Sequence, residues 1–315
     1  MTNSATGTPT LVLGGTGHYG RNIVASLTDK GQPVRVLSRN AANARRVLGD
    51  GVEIVQGDIT SGESVIEALK GVWGVVVSVS AFSPKLIQRL GLVERDAVLT
   101  VLDEAQKAGV SRVVYISVYD IDNDLLARLN LDLETAKIKG EIEATLARSD
   151  LNWTVLGAPP SMEMFFAMIR GDTMMVPGGG PPALPTVSSV DVGEIAAQTV
   201  LRDDLHGKRI RMVGPEAISF PEAAKRISAA TGKSIGFRKI PLLPLKIASI
   251  VTWPINPFLR HLYGHVKLMN NFPPDLVAQV PRDHRWLADT FDYTPTTLEM
   301  ETQRRVQIYG SLQIR

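Results

Sequence analysis

The sequence predicts a doubly wound α/β fold, a parallel sheet covered by helices and followed by a smaller C-terminal α+β module. Three observations lead there. Short β-rich runs alternate with helix-length segments through the first half of the 315-residue chain. Runs such as Leu11-Val12-Leu13 and Val75-Val76-Val77 are apolar on both faces, as parallel strands need when helices pack on each side. A glycine-rich turn joins the first run to the first helical segment.

Taken in order, the strands are expected at 10–14, 33–38, 52–56, 72–79 and 112–117, with helices between them. A helix from Ile138 to Arg148 then leads to a sixth strand at 152–156, which completes the sheet. Beyond Gly157 the rhythm changes. Pro159-Pro160 breaks the chain, 161–169 is rich in Met and Phe, and 178–182 is a loop by composition. The expected organisation is therefore a nucleotide-binding domain over 1–157 and a smaller substrate or lid module over 158–315, partly interleaved with it. That module is assigned a helix at 192–201, a strand at 209–213, a helix at 220–231 and a strand at 236–240.

Composition narrows the function classes. With 34 basic and 32 acidic residues, the net charge of +2 gives no broad field for nucleic acid, and none is expected as a partner. No cysteine is present, which removes disulfides, thiolate metal sites and a cysteine nucleophile and points to a cytoplasmic location. Residues 1–10 resemble neither a signal nor a transit peptide and read as a disordered lead. The apolar stretch 241–258 is interrupted by Lys246, Pro244, Pro254 and Pro257, short of the roughly 20 residues that span a bilayer. It is expected to pack over the second module, with a membrane interface or a dimer surface as alternatives, so the chain is read as monomer or homodimer. His261 and His265 share a helical spacing but lack a third ligand, and no metal is expected.

The turn reads Gly14-Gly15-Thr16-Gly17-His18-Tyr19-Gly20. Between a strand and a helix, such a loop lets the backbone approach a pyrophosphate whose charge sits at the helix N-terminus, the fingerprint of a Rossmann-type dinucleotide site. Gly15-x-Gly17-x-x-Gly20 and Gly14-x-x-Gly17-x-x-Gly20 both fit. The second strand ends Leu37-Ser38-Arg39-Asn40. An acid there would bind a ribose 2′-hydroxyl and repel a 2′-phosphate, whereas Arg39 offers a fork of donors and Ser38 a hydroxyl, so NADP(H) is favoured and NAD(H) is the alternative.

These features, with Gly57-Asp58, the 112–117 strand Arg-Val-Val-Tyr-Ile-Ser, Lys137 followed by Glu141, and Ser149 to Leu156, resemble the NmrA-like atypical short-chain dehydrogenase/reductase family. The resemblance implies that Asp58 and Ile59 flank the adenine and that Ser78, Val79 and Ser80 lie beside the ribose. Asp58 also reads as a cap for the next helix. The family's arginine before proline in the sixth-strand motif is absent, since the chain reads Leu156-Gly157-Ala158-Pro159.

In the wider superfamily a tyrosine four residues before a lysine handles the proton. Four before Lys137 stands Leu133, so that tyrosine is missing. Lys137, Ser117 and Tyr119 are the remaining catalytic candidates, Lys137 also as a ribose ligand. Against this, Lys137 and Glu141 have the spacing of a surface pair, and Ser117 that of a strand-end hydroxyl. Phe82, Met162, Phe165 and Phe166 are candidates for a substrate wall that takes a flat apolar or aromatic acceptor such as a quinone or enone, with core packing as the other reading. Two functions follow: an NADP(H)-dependent oxidoreductase, or a non-catalytic NADP(H)-sensing regulator or assembly subunit.

Overall fold

The computed structural model describes residues 7–121 and 123–309, so most of the lead segment 1–10 lies outside the described residues. Two compact units emerge: Met1–Asp122, Glu134–Ala158 and Val192–Arg211 form the first, and Asn123–Leu133, Pro159–Asp191 and Met212–Arg315 the second.

The first unit holds a parallel seven-stranded sheet. Its strands are β1 (Thr10–Leu13), β2 (Val34–Ser38), β3 (Glu53–Gln56), β4 (Gly74–Val77), β5 (Arg112–Val118), β6 (Trp153–Ala158) and Lys208–Arg211, in the spatial order 3-2-1-4-5-6 with Lys208–Arg211 beyond β6. β1 and β4 are buried along their whole length, and β5 up to its last residue. Each such Val or Leu contributes about 1.5–3 kcal/mol by leaving water. Leu13 is level with both Leu37 of β2 and Val77 of β4, so the C-terminal ends of three strands open at one place. Strand order reverses across β1, and open α/β sheets bind ligands at such a reversal.

Helices α1 (Gly20–Asp29), α2 (Ala41–Leu48), α3 (Gly62–Leu69) and α4 (Ala97–Lys107) alternate with the strands. Asn40 caps α2 by accepting from the Asn43 N–H at 2.9 Å, and Ser61 caps α3 by accepting from the Ser64 N–H at 3.3 Å. A π-helical turn, Gly91–Asp96, runs directly into α4. The sheet is one strand larger than the sequence suggests. The helix Ser189–Val200, whose later turns lie in this unit, and the strand Lys208–Arg211 come from segments assigned by sequence to the second module. They are of ordinary length and composition, and only the pairing of Arg209 with Val155 reveals the sheet to which they belong.

In the second unit, Thr173–Pro177 pairs in parallel with Gly236–Ile240 and antiparallel with Ile169–Arg170. A short antiparallel ribbon joins Leu184–Pro185 to Ala217–Ile218. The helix Phe220–Thr231 packs against Leu298–Tyr309, fixed by Arg226, which donates to Glu299 Oε1 at 2.6 Å and Oε2 at 2.8 Å. His265 spends its Nδ1 on the His261 carbonyl, 2.7 Å away within their own helix. Among the described residues no helix is long and apolar enough to cross a membrane.

Candidate functional site

A cleft of about 620 Å³ opens at the strand reversal in the first unit. Its floor is the turn after β1. Gly14 has φ +81°, and a Cβ there would stand 2.2 Å from the Ser78 carbonyl oxygen. A Cβ on Gly20 would stand 2.0 Å from the Gly14 carbonyl oxygen. The turn closes through Gly17 N–H donating to Gly14 O at 2.8 Å, and α1 starts at once, so its N-terminal amides and positive dipole end face the same space. A side chain at 14 or 20 would collide with these backbone atoms, so the turn can keep this shape only with glycine there.

Gly14, Thr16, Gly17, His18, Tyr19, Ser38, Arg39, Asp58, Ile59, Ser78, Val79, Ser80 and Phe82 all line this cleft. Gly15 and Gly20 lie beneath it and shape the turn: a Cβ on Gly15 would meet the Val36 methyls. Leu13, Leu37, Gly57 and Asn40 from the strand ends complete the lining with Asn43, Leu86 and Val93, the last three of which carried no sequence signal. Asp58 is not a helix cap. Its Oδ1 accepts from both Thr60 N and Thr60 Oγ1 at 2.9 Å, making a tight turn. Burial pushes the Asp58 carboxyl up, but those two hydrogen bonds and the charges of Arg39 and Arg89 together hold it below the usual range. Arg39 therefore sits beside an ionised carboxylate at the β2 and β3 ends, its guanidinium exposed to the cleft.

The catalytic set expected from sequence is not assembled there. Lys137 is exposed on the helix Glu134–Arg148 and does not line the cleft. Two residues on, about 200° around the helix, Lys139 is buried. Its Nζ donates to the Val79 carbonyl at 3.4 Å and the Ile116 carbonyl at 3.3 Å, lies 3.8 Å from Glu94 Oε2 and stands 4.9 Å over the Tyr115 ring. Burial pushes its ammonium below the ordinary lysine range, while Glu94 and Glu143 pull the other way. The buried stripe of this helix includes Thr135, Ile138, Lys139, Ile142 and Leu146, a spacing that was available in the sequence and that excludes position 137. Four before Lys139 stands Thr135, so the superfamily tyrosine is missing in either register.

Ser117 donates to Glu143 Oε1 at 2.5 Å. Glu143 also accepts from Arg209 Nε at 2.7 Å, and Arg209 Nη1 reaches Asp120 Oδ1 at 2.5 Å. The Ser117 hydroxyl is thereby part of a charged network at the ends of β5 and the last strand. Tyr119 is fully buried, its N–H donating to the Ala158 carbonyl at 2.8 Å. Neither lines the cleft. The expected substrate wall is likewise corrected for three of its four members. Met162, Phe165 and Phe166 are at most 3 % exposed and form core of the second unit. Phe165 meets Phe220 edge-to-face with ring centroids 5.1 Å apart, and Arg305 lies 4.5 Å over the Phe166 ring.

The model of an NAD(P)H-binding family matches residues 14–203, the stretch that contains the glycine turn and strands β2 to β6. The NAD(P)H azoreductase of Xenophilus azovorans is 28% identical over 243 residues, covering 76% of this chain and 79% of that one. The photosystem II assembly factor Ycf39 of Trieres chinensis is 23% identical over 243 residues, covering 76% and 74%. In fold, the NADPH-dependent quinone oxidoreductase of Escherichia coli, solved with NADPH, superposes with a TM-score of 0.67 at 18% identity over 94% of this chain and 99% of that one.

Proposed function

The chain belongs to the NAD(P)H-binding family, in its NmrA-like branch, and on that premise we propose that it is an NADP(H)-dependent oxidoreductase acting on a small apolar or aromatic acceptor of quinone, enone or azo type. The observation that carries this reading is the cleft itself: a side-chain-free turn on a helix N-terminus, with Arg39 rather than an acid at the end of β2. When bound, the dinucleotide supplies the hydride. The chain's residues have the other tasks. The amides after β1 hold the pyrophosphate, and Arg39 with Ser38 holds the 2′-phosphate by charge-assisted hydrogen bonds. Asp58 and Ile59 border the adenine, and Ser78 to Ser80 border the ribose. Phe82, Leu86 and Val93 add apolar lining to that of Leu13, Leu37, Ile59 and Val79.

Lys139 takes the place expected of Lys137, as a positioning residue: its ammonium grips the carbonyl of Val79, which lines the cleft, and ties it to β5 through Ile116. The kinship with azoreductase and quinone-reductase chains supports turnover. The kinship with an assembly factor, together with the missing tyrosine, supports the second reading, a chain that binds NADP(H) without consuming it. Stopped-flow oxidation of NADPH with a panel of quinones, enones and azo dyes separates them. Consumption with at least one acceptor is expected, and cofactor bound but never oxidised across the panel would reject the oxidoreductase. In the same assay Lys139→Met should lower kcat by about a hundredfold through misplacement of the Val79 segment, whereas Lys137→Met should leave it unchanged.

A further inference from the structure

The helix Leu243–Val251 does not bury its apolar face. Leu243, Ile247, Ile250 and Val251, at positions i, i+4, i+7 and i+8, are 63%, 53%, 65% and 68% exposed, and the turn that follows exposes Trp253 at 46% and Ile255 at 80%. The opposite side of the helix packs on Phe258–Asn270, with Ser249 buried. A contiguous run of six large exposed apolar side chains is not the ordinary scatter of a protein surface. The sequence around it is equally unusual in charge. From Lys233 to Lys267 the chain carries Lys233, Arg238, Lys239, Lys246, Arg260 and Lys267 and no Asp or Glu, although the whole molecule is nearly balanced at +2. Among the described residues none of the six is seen in an ion pair, although Lys267 donates to the Asn130 carbonyl at 3.3 Å. Arg238 and Lys239 are exposed on the edge strand Gly236–Ile240 that leads into the helix, beside Phe237, and Arg260 stacks 4.0 Å over the Trp253 ring.

We propose that this face docks the protein on an anionic lipid surface, with Leu243, Ile247, Ile250, Val251 and Ile255 entering the boundary between headgroups and acyl chains, Trp253 at headgroup level, and Lys246 of the same helix, Arg260 stacked on Trp253 and the exposed Arg238 and Lys239 of the preceding strand on the phospholipid phosphates. A bilayer with acidic lipids offers both apolar depth and negative charge in one plane, which is the pair of properties this segment shows. A second copy fits less well: a two-fold contact through the same patch would set two acid-free cationic segments against each other. The tryptophan matches the interfacial preference of that residue. The docking stands independently of the acceptor chemistry above, because its residues are remote in sequence from those of the cleft.

The test is flotation of the full chain with vesicles of phosphatidylcholine alone and with about a third phosphatidylglycerol, at low and high salt. Binding to the anionic vesicles, weakened at least tenfold in the neutral ones and by high salt, is the expected result, with a blue shift of tryptophan emission that Trp253→Tyr removes. The exposed substitutions Ile250→Ser with Val251→Ser, and separately Arg238→Glu with Lys239→Glu, should each lower the bound fraction at least tenfold while leaving NADPH affinity unchanged. Equal binding to both vesicle types would overturn the electrostatic half of the proposal. Failure to float with either would overturn it whole, as would a stable dimer by light scattering that Ile250→Ser with Val251→Ser dissociates.

Discussion

The two units use bulky apolar side chains in opposite ways. In the first, the cleft is made by withholding side chains: Gly14 and Gly20 leave the backbone bare where a single Cβ would collide with carbonyl oxygens. In the second, Phe165 and Phe166 are buried in the interior, while Leu243, Ile247, Ile250, Val251, Trp253 and Ile255 remain exposed. A functional surface therefore forms where the chain leaves space or exposes what it would ordinarily bury, and abundant Met and Phe in a sequence do not by themselves mark one.

Substitutions can break this contrast, beginning with the cradle. Gly20→Val should weaken NADPH binding by at least about a hundredfold in calorimetry, since the new Cβ starts 2.0 Å from Gly14 O, with circular dichroism reporting a retained sheet. Phe165→Ala should lower unfolding free energy by about 4 kcal/mol in denaturant titrations and leave the acceptor KM unchanged, as a core residue would. A wall residue would do the reverse.

A third expectation concerns acid in the second unit. Burial pushes the Asp191 carboxyl from its usual 3.8 up to about 6, with Glu163 and Glu301 adding to the rise and hydrogen bonds from Thr296 N–H and Oγ1 opposing it. The folded state thus holds this proton more tightly than the unfolded chain. The stabilisation is fully present below about pH 4 and is lost as pH rises through 6, at most about 3 kcal/mol by linkage. Thermal unfolding of Asp191→Asn should show a flatter dependence over that window than the unchanged chain. The smallest effect sharpens cofactor choice: Arg39→Ala should reduce the preference for NADPH over NADH about tenfold, close to 1.4 kcal/mol, and an unchanged ratio of dissociation constants would remove the 2′-phosphate from Arg39.

The first unit was readable because its rules are local. Strand, glycine turn, helix and strand-end arginine lie within thirty residues of one another (Thr10 to Arg39), and the backbone at Gly14 leaves little choice of residue. The burial of Lys139 had a local signal too, since it and not Lys137 falls on the apolar stripe of its helix. What was not readable depends on distant pairing. Nothing in Lys208–Arg211 announces that it joins a sheet beside β6, nor in Phe165 that Phe220 will close over it. Leu243 to Trp253 looked like a helix that packs over the second module; it does pack on Phe258–Asn270, and only the exposure of four side chains shows that its other face is left uncovered.

The wide turn at Gly91–Asp96 has a consequence for how the cleft tolerates insertions and deletions. It holds Val93 in the lining and turns Glu94 inward, where Oε1 accepts from the Ala81 N–H at 2.5 Å and Oε2 faces Lys139. A π turn carries one residue more than an α turn, and sites of function often keep one. Losing one residue there would let the stretch wind as an ordinary α-helix with its flanks nearly in place, but would change which side chains of the turn face inward. Val93 would leave the lining and the anchor of Ala81 on Glu94 would be lost together, so length in this short stretch matters as much as identity.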